Sequence, residues 1–351
     1  MALDNIFRTL PRPRLSLTRF LFYFATIAIL LLIYAKVSEF ALLWQIFQRT
    51  NWWWLGGIII SQLLNYYFLA LNYRAVLKVK QTDVPIRELF PVMFVVQFLN
   101  QALPSATISG QAFFVQYLKR YGLSLAEGLS RALLELATLY LAFGSFFIFA
   151  AGLMLWNGSF ETHPAVLYLV YLFSFFGVLF IWLFIALQKK RRGGILRWAL
   201  KKLHNYFEEN NRGKKKSDSK PQVLELFEEI RQTLSLKSLG KFRWEFFLAC
   251  LWQALELLAN VFTLYFVCFA VNAPIPFVSA FIVFTLTRFV SMVSFIPGAF
   301  GSFEGSMVFV LTSFFISLDN ALAITLLFRA FSFWLPIPIG WILYRHYTKE
   351  T

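Results

Sequence analysis

Eight apolar runs constrain this chain more than any other feature: 20–37, 52–73, 89–103, 125–156, 165–187, 246–271, 277–296 and 321–344. An α-helix crosses the hydrocarbon core of a bilayer in roughly 20 apolar residues at about 1.5 Å per residue. Most of these runs meet that length. The composition agrees, with 59% hydrophobic residues, 43 phenylalanines and a mean hydropathy of +0.63, far from a soluble domain. The sequence therefore predicts an all-α polytopic integral membrane protein. Run 20–37 follows Arg8, Arg12, Arg14 and Arg19. It is too long for a signal peptide and lacks a small-residue cleavage site, so it reads as a retained helix.

The formal net charge is +15. In a membrane protein such an excess marks cytoplasmic loops, where Lys and Arg accumulate, and no nucleic-acid partner is implied. His163, His204 and His346 are scattered, so no metal site is expected. Cys250 and Cys268 share one predicted helix, about 27 Å apart along its axis, too far for a bridge within the chain. No cofactor is implied.

Segment 188–243 is polar and basic, with Lys189, Lys190, Arg191 and Arg192 and then Lys214, Lys215 and Lys216. It is expected in the cytoplasm. It divides the chain into an N-terminal membrane half, 1–187, and a C-terminal half, 244–351. Within it, 195–207 and 221–234 are patterned as amphipathic helices, suited to an anionic lipid surface or equally to a solvated loop. Residues 208–220 read as a tether.

Two short apolar pieces, 111–117 and 307–316, follow helix-breaking segments ALPSATISG (102–110) and IPGAFGSFEG (296–305). The loop 157–164 carries no Lys or Arg, so it is placed outside. Counting crossings from there puts both ends of 89–120 in the cytoplasm, a re-entrant hairpin with its tip at 103–110. A second hairpin, 277–317, enters from the other side, and both chain termini are cytoplasmic. About six full transmembrane helices plus two hairpins result. Residues 277–296 are long enough to cross, so the hairpins either re-enter or span as broken helices.

Placing Pro104 over Pro297 sets Gln111 on Glu304, Ser124 on Ser317, Leu125 on Leu318, and Leu133 and Leu134 on Leu326 and Leu327. With the parity argument the two copies have opposite orientations. Inverted repeats with broken helices near the midplane are a transporter architecture. Irregular backbone at membrane depth persists only where it is buried in protein or lines a watery cavity. Pro104 and Gly110 in the first breaker, and Pro297, Gly298, Gly301 and Gly305 in the second, are the expected structural loop residues.

The stretch PGAFGSFEG (297–305), a short apolar helix, and then LLFRAFSFWLPIPIG (326–340) resemble the lysylphosphatidylglycerol synthase transmembrane region, or flippase-like domain, family. LPSATISGQAFFVQYLKRYGLSLAEGLSRALLELATLY (103–140) is similar to the family's weaker first motif. The resemblance covers about 90–345. It implies a domain that moves a lipid head group between leaflets of the cytoplasmic membrane, with a phospholipid such as aminoacylated phosphatidylglycerol, a polyprenyl-linked lipid or a hopanoid as substrate. The family's Gly-Gly-Glu is Ser109-Gly110-Gln111 here, and its Glu-Arg is Glu135-Leu136. The chain ends soon after its last helix, so the soluble synthase domain is not expected, and a separate lipid-modifying enzyme is a candidate partner.

Charges inside apolar runs are costly and need partners or water. Glu135, Glu256, Arg288, Glu304 and Arg329 form this set, with Arg131 nearer a helix end. With Gln111 they are the candidate substrate-binding residues: the arginines for a phosphate, the carboxylates for a cationic group or a proton. Gln253, Glu256 and Asn260 share one helix face, and Ser61, Gln62 and Asn65 share another. Gln97, Asn100 and Gln101 give the first hairpin a polar side. The competing reading is structural, with buried ion pairs and interhelical hydrogen bonds, including an Arg131–Glu135 pair one turn apart. No nucleophile–base set or acidic pair for an intramembrane transferase is present, and a non-transporting scaffold is the remaining alternative.

Overall fold

A computed structural model of the chain describes residues 50–79, 82–102, 108–156, 242–294 and 297–349, together with residue 48. The runs 20–37 and 165–187, loop 157–164, breaker residue Pro104 and nearly all of the basic segment 188–243 lie outside the described residues. The chain divides into two compact units, Met1–Thr50 and Asn51–Thr351. The second is described here. Its elements are α1 (Leu55–Lys78), α2 (Ile86–Ala102), α3 (Ile108–Leu118), α4 (Leu125–Trp156), α5 (Arg243–Ala270), α6 (Phe277–Val293), α7 (Ser302–Ser313), α8 (Leu318–Arg329) and α9 (Pro336–Lys349). No strand occurs among the described residues.

Among the described residues, four stretches are long and apolar enough to cross a membrane: Trp52–Lys78, Glu127–Met154, Arg243–Ala270 and Leu318–Tyr347. The protein is an all-α polytopic membrane protein. Among the described helices the antiparallel pair α1 and α5 makes the most extensive contact. The pair is pinned at one end by Asn51, whose N–H donates to Ala270 O at 2.7 Å. The Asn51 side chain caps the tryptophan turn Trp52–Trp54 at Trp53 N. Along α1, Ser61, Gln62, Asn65 and Asn72 are buried, while Ile59, Ile60, Leu63 and Leu64 are exposed. Polar side chains inside and aliphatic ones outside is the pattern lipid imposes.

Helices α2 and α3 fold back on each other. Gly110 is what allows it. A Cβ there would sit 2.4 Å from both Val96 O and Asn100 Oδ1, and the Gly110 N–H donates to Asn100 Oδ1 at 2.9 Å. At the base of the hairpin the Tyr121 hydroxyl donates to the Glu88 carboxylate. An apolar cluster that includes Leu69, Met93, Phe114 and Leu118 fills the space between α1, α2 and α3. Within it Tyr66 stacks on Phe94 with centroids 3.9 Å apart.

Helices α6, α7 and α8 repeat the order of α2, α3 and α4: helix, break, short helix, turn, helix. The helix starts at Leu125 and Leu318 fall at the register predicted from sequence. Ser124 and Glu127 close a reciprocal capping box at the start of α4. Helix α8 continues into α9 through a π turn, Ala330–Trp334, marked by the Leu335 N–H donating to Ala330 O. Pro336 and Pro338 lack N–H groups, so the α-helical ladder cannot run through this stretch.

Two glycines expected in loops lie in helices. Gly110 is the third residue of α3, where it serves close packing rather than a turn. Gly305 is the fourth residue of α7. The breaker is therefore shorter than the composition suggested, ending at Gly301.

Candidate polar site within the membrane helices

The second breaker turns at two glycines with left-handed backbone, Gly298 (φ 60°) and Gly301 (φ 77°), a conformation costly for side-chain-bearing residues. A Cβ at Gly298 would also meet the Phe333 ring at 2.9 Å. Glu304, expected in the loop, is instead in the first turn of α7. There its Oε2 accepts the Gly301 N–H at 2.7 Å. An acid at this position satisfies an orphan backbone donor and complements the positive end of the helix.

Arg329, at the last turn of α8, closes the site. Its Nε donates to Glu304 Oε1 at 2.5 Å and its Nη2 to Gly298 O at 2.9 Å. The guanidinium lies 4.1 Å from the Phe333 ring centroid, 4.7 Å from that of Phe303 and 5.6 Å from that of Phe300. Its side chain is 6% exposed against 27% for Glu304, so the carboxylate is the more accessible member. All three rings around the guanidinium are phenylalanines. With 43 in the chain, nothing in the sequence marked these three as a cation–π cage.

The first copy holds the corresponding arrangement with a different chemistry. Gln111, in the first turn of α3, donates from Nε2 to Glu135 Oε2 at 2.6 Å and to the Tyr73 hydroxyl at 2.8 Å. Gln111 and Glu135 are 24 residues apart, Glu304 and Arg329 25. In each copy a polar residue opening the short helix grips one on the following helix. Tyr73 was not anticipated. Arg131 turns away from Glu135, donating to Glu127 O at 2.8 Å and Thr82 Oγ1 at 3.0 Å, so the expected pair between them does not form.

Glu256 lies between the copies on α5. Gln253 Nε2 donates to its Oε2 at 3.0 Å and Asn260 Nδ2 to its Oε1 at 3.1 Å. The two amide faces predicted on separate helices meet here: Gln62 Nε2 and Asn65 Nδ2 both donate to Asn260 Oδ1. Arg288, on α6, lies within electrostatic reach of Glu256 and of Arg329. Glu256 in turn reaches Glu135. The Arg288 Nε is buried and has no hydrogen-bond partner. Of the six candidate residues named from sequence, Gln111 bonds Glu135 and Arg329 bonds Glu304, and Glu256 and Arg288 lie within electrostatic reach of these pairs, an internal polar seam.

Membrane-length helices around an internal seam of carboxylates, guanidinium groups and amides define a polytopic membrane protein with a polar core. The chain belongs to the lysylphosphatidylglycerol synthase transmembrane region family, a flippase-like domain, which it matches over residues 19–340. It is also similar to the UPF0104 membrane protein MJ1595 of Methanocaldococcus jannaschii, with 21% identity over 297 residues, 81% of each chain.

Proposed function

We propose that this protein moves a lipid or lipid-linked head group across the cytoplasmic membrane. The observation that carries the reading is the seam itself. Charged side chains within membrane helices are costly, and a line of them marks a substrate or ion pathway by default. The Arg288 guanidinium, with its Nε unbonded, offers planar donors suited to a phosphate oxygen. Glu304, the accessible member of its pair, would meet a cationic portion of the head group, while the acyl chains remain in lipid.

The repeated helix–break–helix order supports an inverted repeat, with both termini cytoplasmic and the basic segment 188–243 against an anionic leaflet. The chain acts in this reading as a carrier and not as a synthase, receiving its phospholipid or polyprenyl-linked substrate from a separate lipid-modifying enzyme.

A second reading has a specific observation behind it. Arg329 is held by Glu304, Gly298 and three rings, which suits a structural strut in a non-transporting scaffold. Reconstitution separates the two. Proteoliposomes carrying phosphatidylglycerol, its lysyl ester or a polyprenyl phosphate should show movement of one lipid above empty vesicles, and Arg288→Ala should slow it. No movement for any of them, with folded protein, would leave the scaffold.

A further inference from the structure

We propose that the α1–α5 interface holds a binding site for one monovalent alkali cation, centred on Glu256, with Gln253, Asn65 and Gln62 as neutral oxygen ligands. Lipid movement is not required for this inference.

The site has too many acceptors. Gln253 Oε1, Asn65 Oδ1 and Gln62 Oε1 are all buried without a hydrogen-bond partner. Their residues are 1%, 6% and 7% exposed, with Glu256 at 6% and Asn260 at 9%. Reversing the amides does not help. Gln253 reversed sets its oxygen against Glu256 Oε2 at 3.0 Å, and Asn260 reversed does the same at Oε1 at 3.1 Å. Asn65 or Gln62 reversed opposes Asn260 Oδ1, at 3.2 and 3.4 Å. The orientations are therefore fixed by the network itself. Three amide oxygens and a carboxylate are left on one polar seam of the interface.

A buried oxygen without a donor is costly, and a hard cation is bound by carboxylate and amide oxygens of this kind. A proton would serve one oxygen and leave the others unsatisfied. The charge balance points to a single positive charge. Glu256 is the one acidic side chain in this network, and the groups bonded to it and to Asn260 are neutral amides. Among the described residues no three His, Cys, Asp or Glu side chains cluster, so the ligand set suits an alkali ion better than a divalent or transition metal.

The test is thermal unfolding of the purified full chain in detergent. Sodium chloride is titrated against choline chloride at constant ionic strength, with retention of radioactive sodium by the same protein as a second readout. The expected result is a saturable rise in unfolding temperature and about one sodium retained per chain. Both should be lost in Glu256→Gln and in Gln253→Met, the second keeping its bulk where the first fails to fold. Equal unfolding temperatures in sodium and choline with no sodium retained would overturn the site. So would a sodium effect of full size in Gln253→Met. Because no transported lipid is present, failure here leaves the lipid-movement reading intact, and failure of that reading leaves this one.

Discussion

Arg329 reaches Glu304 across 25 residues of sequence and binds it at 2.5 Å. The contact ties the end of α8 to the first turn of α7. The same guanidinium also takes the carbonyl of Gly298, so one side chain fixes both ends of the second breaker.

Arg329→Ala should therefore loosen the breaker and lower stability. Removing one partner of a buried pair costs about 3–5 kcal/mol, and the aromatic contacts are lost with it. Arg329→Lys keeps the charge but loses the fork that serves two acceptors, so it should recover only part of the loss. Thermal unfolding in detergent gives the order wild type, Lys, Ala. A Lys variant equal to wild type would show that the second hydrogen bond and the cage contribute nothing.

Gly110 and Gly305 are predicted to respond oppositely to alanine. At Gly110 the new Cβ meets backbone oxygen at 2.4 Å, which should cost about 1–3 kcal/mol through overpacking. At Gly305 nothing lies within 4 Å, and replacing a helical glycine should gain about 0.5–1 kcal/mol. Unfolding temperatures of the two single variants check both signs at once.

Gln111→Leu removes the donor shared by Glu135 and Tyr73. Leaving two buried oxygens unsatisfied should cost about 1–3 kcal/mol for each. Tyr73→Phe introduced into that variant should then have a smaller effect than in the wild type. Equal effects in the two backgrounds, from a double-mutant cycle on unfolding, would mean that the two side chains act independently.

Asp83 supplies the pH dependence most open to measurement, because it lies in the connection after α1. The hydrogen bond and charge of Arg74, with Lys78 nearby, hold its carboxyl below the usual range. A depressed carboxyl stabilises the fold at pH above its ordinary value, and that contribution fades as pH falls through the folded value, below about pH 4. Asp83→Asn should remove this part of the acid slope and leave the curve above pH 5 parallel, about a unit beyond the ordinary carboxyl value. The pair is exposed, so the effect is small. Unfolding temperature followed from neutral to acid pH reads it.

Much of this was legible in the sequence, for physical reasons. The apolar runs located α1, α4 and α5 because lipid demands length. The polar faces of Gln62 and Asn65 and of Gln253, Glu256 and Asn260 were visible because helical spacing exposes them, and they meet each other. The register placing Leu125 over Leu318 matched the helix starts. Glu304 was misplaced in a loop because composition cannot separate a breaker from the first turn that follows it, and that turn favours an acid. Gly110 looked like a turn residue because its neighbour across the hairpin, Val96 O, is backbone and leaves no trace in side-chain patterns. Tyr73 was hidden by its distance of 38 residues from Gln111.

The π turn at Ala330–Trp334 lets one helix answer to two neighbours that disagree in azimuth. An inserted residue rotates everything beyond it by about 100°. Upstream, Arg329 must aim at the breaker. Downstream, Gly340 must lie against Phe94 O and Phe98 Cβ, where any Cβ would come within 2.4 Å. An uninterrupted α-helix from Leu318 onward would meet only one of these demands. Deleting a single residue between 330 and 334 would shift the phase of the helix beyond it by about 100° and swing a bulky face onto α2. The irregular turn is thus the phase correction that lets the breaker and the first hairpin share a scaffold.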